Sequence, residues 1–133
     1  MSDNKVTFKK AEHLCSHKDI ENLFDGNNFS AAVYPLRIVL RIVPREKVAV
    51  KMLVSVSKRH FKHAVDRNRV KRQVREAYRV HKQILLNAVV PLQEEKEVSL
   101  HVAFLWLSDS LKPSDMVEKR LERLLYIALE KLC

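Results

Sequence analysis

The sequence predicts a small α/β (α+β) two-layer sandwich with elements in the order α-β-β-α-β-α and a small, mostly antiparallel sheet. Three observations lead there. Apolar residues alternate over 30–43 and 48–57, as in half-buried strands. The run from Val98 to Leu107 is apolar on both faces apart from Ser99 and His101, as in a strand covered on both sides. Two stretches, from Asp66 to about Val89 and from Ser114 to Leu132, repeat apolar residues at helical spacing. Helices alternating with strands pack on the sheet they flank. A chain of 133 residues suits one domain, 1–133, around one core, with the polar segment 1–10 expected to be flexible.

Ser16 is placed to cap a short helix over 18–24, with Asp19 in its first turn and Ile20, Leu23 and Phe24 on one face. Gly26, the only glycine, falls where a helix C-terminus favours a left-handed residue. The first strand follows, with Tyr34-Pro35 able to interrupt it. Ile38, Leu40 and Ile42 alternate with Arg37, Val39 and Arg41. After a turn at 44–47, the second strand turns Val48, Val50, Met52, Val54 and Val56 to the core and Lys51, Ser55 and Ser57 away from it. The two strands are expected to pair as an antiparallel hairpin. A long basic helix crosses next, capped by Asp66 and closed by Pro91, with a charged loop over 92–97. The last helix opens at Pro113-Ser114 and buries Val117, Leu121, Leu124, Leu125, Ala128 and Leu132.

The net charge of +9 points to nucleic acid or an anionic surface as partner. No apolar run approaches the ~20 residues that span a bilayer, so no membrane is expected. The first residues show no signal-peptide pattern. Cys15 and Cys133 stand alone near opposite ends, which suits reduced thiols and a cytoplasmic protein. His13-x-Cys15-x-His17 does not match zinc-ligand spacing, so no metal site is assigned. No glycine-rich phosphate loop, triad order or paired carboxylate context stands out, so no catalytic residue is assigned.

The segment 57–82 carries the strongest signal. From Lys58 to Lys82 it holds ten Lys or Arg against two acids, Asp66 and Glu76. Wound at about 100° per residue, it places Val70, Val74, Ala77, Tyr78, His81, Ile84, Leu85 and Ala88 on one face. Asn68, Lys71, Arg72, Arg75, Arg79 and Lys82 fall on the next. Like charges on one helix face cost stability, and too few acids are present to pair them. Such a stripe matches a row of phosphates, whose neutralisation releases counterions. Arg binds phosphate through a bidentate fork. The residues alone leave open a ribosomal-type RNA-binding protein without a nuclease role. They disfavour a helix-turn-helix DNA reader, because a strand precedes the basic helix.

Arg67-Asn68-Arg69-Val70-Lys71-Arg72-Gln73-Val74-Arg75-Glu76, preceded by Val54-Ser55-Val56-Ser57-Lys58-Arg59, resembles the signature of the bacterial ribonuclease P protein component. The likeness extends more weakly over 12–132. It implies the ribosomal-protein-S5-domain-2-like fold. It also implies a protein subunit that supports endonucleolytic removal of the 5′ leader from precursor tRNA, while a catalytic RNA subunit does the chemistry with Mg2+. On this resemblance Arg67, Asn68, Arg69, Lys71, Arg72 and Arg75 contact the catalytic RNA or organise nearby metal ions, and Lys58 and Arg59 match a basic pair ending the central strand; the helical wheel adds Arg79 to the RNA-binding row. The family's leader cleft lies between first helix, sheet face and basic helix. Arg37, Arg41, Lys51, Ser55 and Ser57 are the expected leader contacts there, with Phe24 as stacking platform. Two family aromatics fall at Ile20 and Phe24, so Ile20 departs from the pattern.

Overall fold

A computed structural model of the chain describes residues 10–132. The expected flexibility of the first ten residues, Lys10 apart, lies outside them, as does Cys133. Lys10–Glu12 forms a short 3-10 turn. The helices are α1 (His17–Leu23), α2 (Ala64–Lys96) and α3 (Ser114–Leu132), and the strands are β1 (Phe29–Val33), β2 (Leu36–Pro44), β3 (Val50–Ser55) and β4 (Val98–Trp106). The sheet runs β1-β2-β4-β3, with β1–β2 and β2–β4 antiparallel and β3–β4 parallel. The mostly antiparallel α+β sandwich is therefore present, with one strand more than the sequence pattern resolved.

The expected hairpin between the strands over 30–43 and 48–57 does not form. β4 lies between them and pairs with both. The physical reason is burial. β4 is the strand apolar on both faces, and only a central position covers both. A parallel β3–β4 pair then requires a long crossover, which α2 supplies. The interruption at Tyr34-Pro35 is the turn between β1 and β2.

One sheet face carries Leu36, Ile38, Leu40, Val50, Met52, Val54, Leu100, Val102, Phe104 and Trp106, all buried beneath α2 and α3. Val70, Val74, Ala77, Tyr78 and Leu85 of α2 and Val117, Leu121, Leu124, Leu125 and Ala128 of α3 complete that core. The Tyr78 ring packs tilted on Phe104 at 6.0 Å. α1 covers only part of the other face, where Leu14, Leu23, Val39 and Ala103 form a small cluster edged by Ile20, Leu53 and Leu105.

Both expected ends of α2 are corrected. Asp66 is not the N-cap. His63 takes that position with extended backbone and no side-chain cap, and Asp66 lies in the first turn, where its charge suits the helix dipole. Asn68 and Arg69 thus lie in the second turn of α2 and not in its first. Pro91 does not stop the helix, which runs on to Lys96 and ends at Glu97 in the left-handed region (φ 55°). Pro91 is exposed, so the carbonyl it leaves unpaired meets water. Two residues on, buried Gln93 donates to the Glu46 carbonyl at 2.7 Å, pinning the last turns to the sheet. At α1, Ser16 caps as expected, accepting from the Asp19 amide at 3.4 Å. Gly26 has φ 93° just beyond that helix.

Candidate nucleic-acid interface

The basic row lies along one edge of α2. Asn68, Arg69, Arg72 and Arg75 are exposed, and Lys71 and Arg79 are half-buried. Several members have internal partners. The Arg67 guanidinium donates to the Phe61 and Lys62 carbonyls at 2.8 and 3.1 Å, fastening the 57–63 loop to the first turn of α2. Arg79 Nε donates to Glu76 Oε1 at 3.1 Å, and that bond holds the Glu76 carboxyl below its ordinary range. Lys82, which the helical wheel puts in the row, is 4% exposed and donates to Glu12 Oε1 at 2.8 Å. It is a structural ion pair and not part of the open stripe. Lys58 and Arg59 are exposed in the loop after β3, where Ser57 Oγ accepts from the Arg59 amide at 3.0 Å. His60 Nδ1 lies 2.6 Å from Asp109 Oδ1, tying this loop to the one after β4.

Of the expected leader contacts, Arg37, Arg41, Lys51 and Ser55 share the sheet face that α1 only partly covers. Strand alternation and register place Ser30, Arg37, Arg41, Lys51, Leu53, Ser55, His101 and Leu105 on that face with Val39 and Ala103. Arg37 Nη1 donates to Ser30 Oγ at 2.9 Å. Phe24 is 40% exposed at the end of α1, outside the core, and borders a shallow pocket of about 230 Å³ with Asn28, Ser30, Arg37 and Leu105. Ile20 is half-buried against the small cluster, so it packs where an aromatic could have presented a face. Ser57 lies past the end of β3, exposed and engaged in the loop.

The stripe and this face meet across edge strand β3. His13 forms a parallel bridge to Met52 along that edge, and the Leu14 amide donates to the Met52 carbonyl at 3.0 Å. Burial pushes the His13 imidazole below its usual value, the Arg75 charge pushes it further, and Glu12 opposes. Sequence reading weighed His13 only as a metal ligand, because only the fold brings it to Arg75. Because its folded pKa is lowered, His13 contributes stability that is present above about pH 6.5 and lost as pH falls through the folded value. We expect the His13 ring, followed by NMR, to titrate with a midpoint below that of a free histidine. Arg75→Ala should raise the midpoint without restoring it, since burial remains. A midpoint indifferent to Arg75→Ala would separate His13 from the stripe.

Among the described residues, Asp19, Glu46 and His101 could gather round a metal ion, their ligand atoms lying within 4.8 Å of one another. Glu46 is already engaged: His101 Nε2 is 2.8 Å from Oε1, and Lys51 Nζ is 3.6 Å from Oε2. The Lys51 ammonium disfavours a second cation there. The stripe itself offers Arg and Lys, which bind phosphate and repel Mg2+; a magnesium ion prefers oxygen ligands and its own waters.

Fold and charge layout together define a class: a small basic α+β protein with a cationic stripe beside an edge strand. The comparisons with known proteins agree. The sequence model described as Ribonuclease P matches residues 8–125. A ribonuclease P protein component from Porphyromonas gingivalis W83 is 43% identical over 115 residues, 86% of this chain and 80% of that one. Another from Chlorobium phaeobacteroides is 36% identical over 81 residues, 59% of this chain and 56% of that one. Solved structures of the Staphylococcus aureus and Thermotoga maritima ribonuclease P proteins share the fold, each with a TM-score of 0.64. Their identities are 20% and 18%, with 90% and 86% of this chain covered and 96% and 94% of theirs. The chain belongs to the ribonuclease P protein family. No helix among the described residues is long and apolar enough to cross a membrane.

Proposed function

We propose that this chain is the protein subunit of a cytoplasmic ribonuclease P. It binds the catalytic RNA along the α2 stripe and the 5′ leader of precursor tRNA on the open sheet face, and the RNA cleaves with its own Mg2+. The observation that carries this reading is the meeting of stripe and open face across β3 in a chain of this family. Phosphates of the catalytic RNA would lie on Asn68, Arg69, Lys71, Arg72 and Arg75, with Lys58 and Arg59 extending the row. The leader would cross the row of Arg41 and Lys51 and then the row of Ser55 and Arg37 toward Phe24. Arg67 contributes by holding the loop that presents Lys58 and Arg59.

Reconstitution tests the reading. The protein alone should leave precursor tRNA intact. Added to a bacterial ribonuclease P RNA at low magnesium, it should restore cleavage. Magnesium-dependent cleavage by rigorously RNA-free protein, or no stimulation of any such RNA, would overturn it.

The two faces of α2 should separate in mutants. Arg72→Ala or Arg75→Ala should lower the salt slope of RNA binding by about one unit or slightly less. Either exposed change should alter stability by only about ±0.5 kcal/mol. Val74→Ala, fully buried, should cost about 1–3 kcal/mol in folding and leave the salt slope alone. Filter binding and denaturant melts with one common response would refute the assignment of faces.

A further inference from the structure

α3 turns two acids toward α2 and two cations toward β1, with Lys119, Arg123 and Glu130 on the solvent face between them. Glu118 and Glu122 turn toward α2, where His81 Nε2 is 3.0 Å from Glu118 Oε1 and His81 Nδ1 is 4.0 Å from Glu122 Oε2. The opposite edge, along β1, is basic. Arg120 Nη1 donates to the Tyr34 carbonyl at 3.2 Å, and Lys131 Nζ lies 5.6 Å from the Phe29 ring centroid. Arg123 is exposed one turn along, and Lys112 Nζ lies 5.6 Å from the Tyr34 ring centroid. Among the described residues none of these four cations has an ion-pair partner. Tyr34 is 53% exposed at the tip of the β1–β2 turn. The turn is fixed: the Leu107 amide donates to the Pro35 carbonyl at 2.8 Å. The Lys112 backbone is fixed too, its carbonyl accepting from Gln73 Nε2 at 2.9 Å.

We propose that this β1–α3 edge is a second RNA-binding surface. Phosphates of an unpaired RNA segment lie on Lys112, Arg120, Arg123 and Lys131, and one base stacks on Tyr34. Among the described residues these cations gather at one edge without pairing to an acid, Glu130 included, and like charges kept together repel, which a merely solvated face does not require. An exposed ring beside unpaired cations on a rigid turn supplies what single-stranded nucleic acid requires, a stacking platform within a positive track. The sheet order puts this edge at β1 and the α2 stripe at β3, three strand spacings or about 14 Å apart across the sheet. One protein thereby contacts two RNA segments at once. The inference rests on the reading that this chain works on RNA.

The probe is a bacterial ribonuclease P RNA, bound at several salt concentrations by the full chain. Arg120→Ala/Arg123→Ala should lower the salt slope by about 1.4 units, at ~0.7 per phosphate of a single strand. Tyr34→Leu should weaken binding by about 5- to 10-fold with the slope unchanged, the loss of one stacked base. If Arg120→Ala shifts the melting midpoint through its lost bond to Tyr34, Lys112→Ala/Arg123→Ala replaces it with the same expected slope change. Arg72→Ala/Arg75→Ala is the reference. Wild-type affinity and slope in the β1–α3 variants, beside weakened binding in the reference, overturn this proposal while leaving the α2 reading intact; that edge would then be solvated or meet an acidic protein. Unweakened binding in the reference overturns the RNA reading itself and this proposal with it.

Discussion

Lys82→Ala should destabilise the fold by about 3 kcal/mol, toward the lower end of the 3–5 kcal/mol seen when one partner of a buried pair is removed. Lys82 is 4% exposed and reaches Glu12 Oε1 and Oε2 at 2.8 and 3.1 Å. Without the ammonium, the Glu12 carboxylate keeps its desolvation and loses its counter-charge. The lower end applies because the Glu12 side chain retains 16% exposure and can turn toward water. The pair also joins the Lys10–Glu12 turn to α2, so the loss should loosen the segment that carries His13 along β3. Glu12→Gln/Lys82→Met should recover most of the stability, since replacing both charges by neutral side chains removes the unpaired carboxylate. Urea melts of wild type, single and double variants decide it. A single variant within about 0.5 kcal/mol of wild type would show that the pair behaves as an exposed one.

Lys82 also shows where sequence reading stops. On a helical wheel it is indistinguishable from Lys71 or Arg75, because periodicity gives the face and not what arrives from elsewhere in the chain. The buried face of α2 was legible because Val70, Val74, Ala77 and Tyr78 repeat at the helical period, and the structure buries all four. α3 and the Ser16 cap were legible for the same local reasons. The strand order was not. Sequential strands usually pair, and only the two-sided apolar character of β4 hinted that it would part β2 from β3. Pro91 misled because a proline's cost depends on whether water reaches the freed carbonyl. The cationic site was legible as a motif, but Arg67's role as a loop clamp depends on two backbone carbonyls at 61 and 62 that no pattern marks. His13 beside Arg75 and Lys51 beside Glu46 are likewise products of tertiary placement.

The largest functional effect should come from the leader. On the reading proposed here, the holoenzyme should bind precursor tRNA with a leader of several nucleotides more tightly than precursor with a leader of one, because only the longer strand reaches the sheet face. Among the described residues Phe24 is the one exposed aromatic beside that face, and stacking contributes about 1–3 kcal/mol per base. Phe24→Ala should therefore remove about 5-fold or more of the length advantage. Lys51→Ala should remove a smaller part, since its ammonium already leans on Glu46 at 3.6 Å and gives up some of that interaction to reach a phosphate. Arg37→Ala should act similarly, its guanidinium being anchored on Ser30 beside the Phe24 pocket. Ile20 packs inward and supplies no second platform, so leaders of different sequence should bind within a few-fold of one another. None of the three variants should change affinity for mature tRNA, which carries no leader. Equal affinity for short and long leaders would mean that the open sheet face is only solvated. Loss of mature-tRNA affinity in Phe24→Ala would mean that α1 supports the fold of the α2 stripe and not a bound strand.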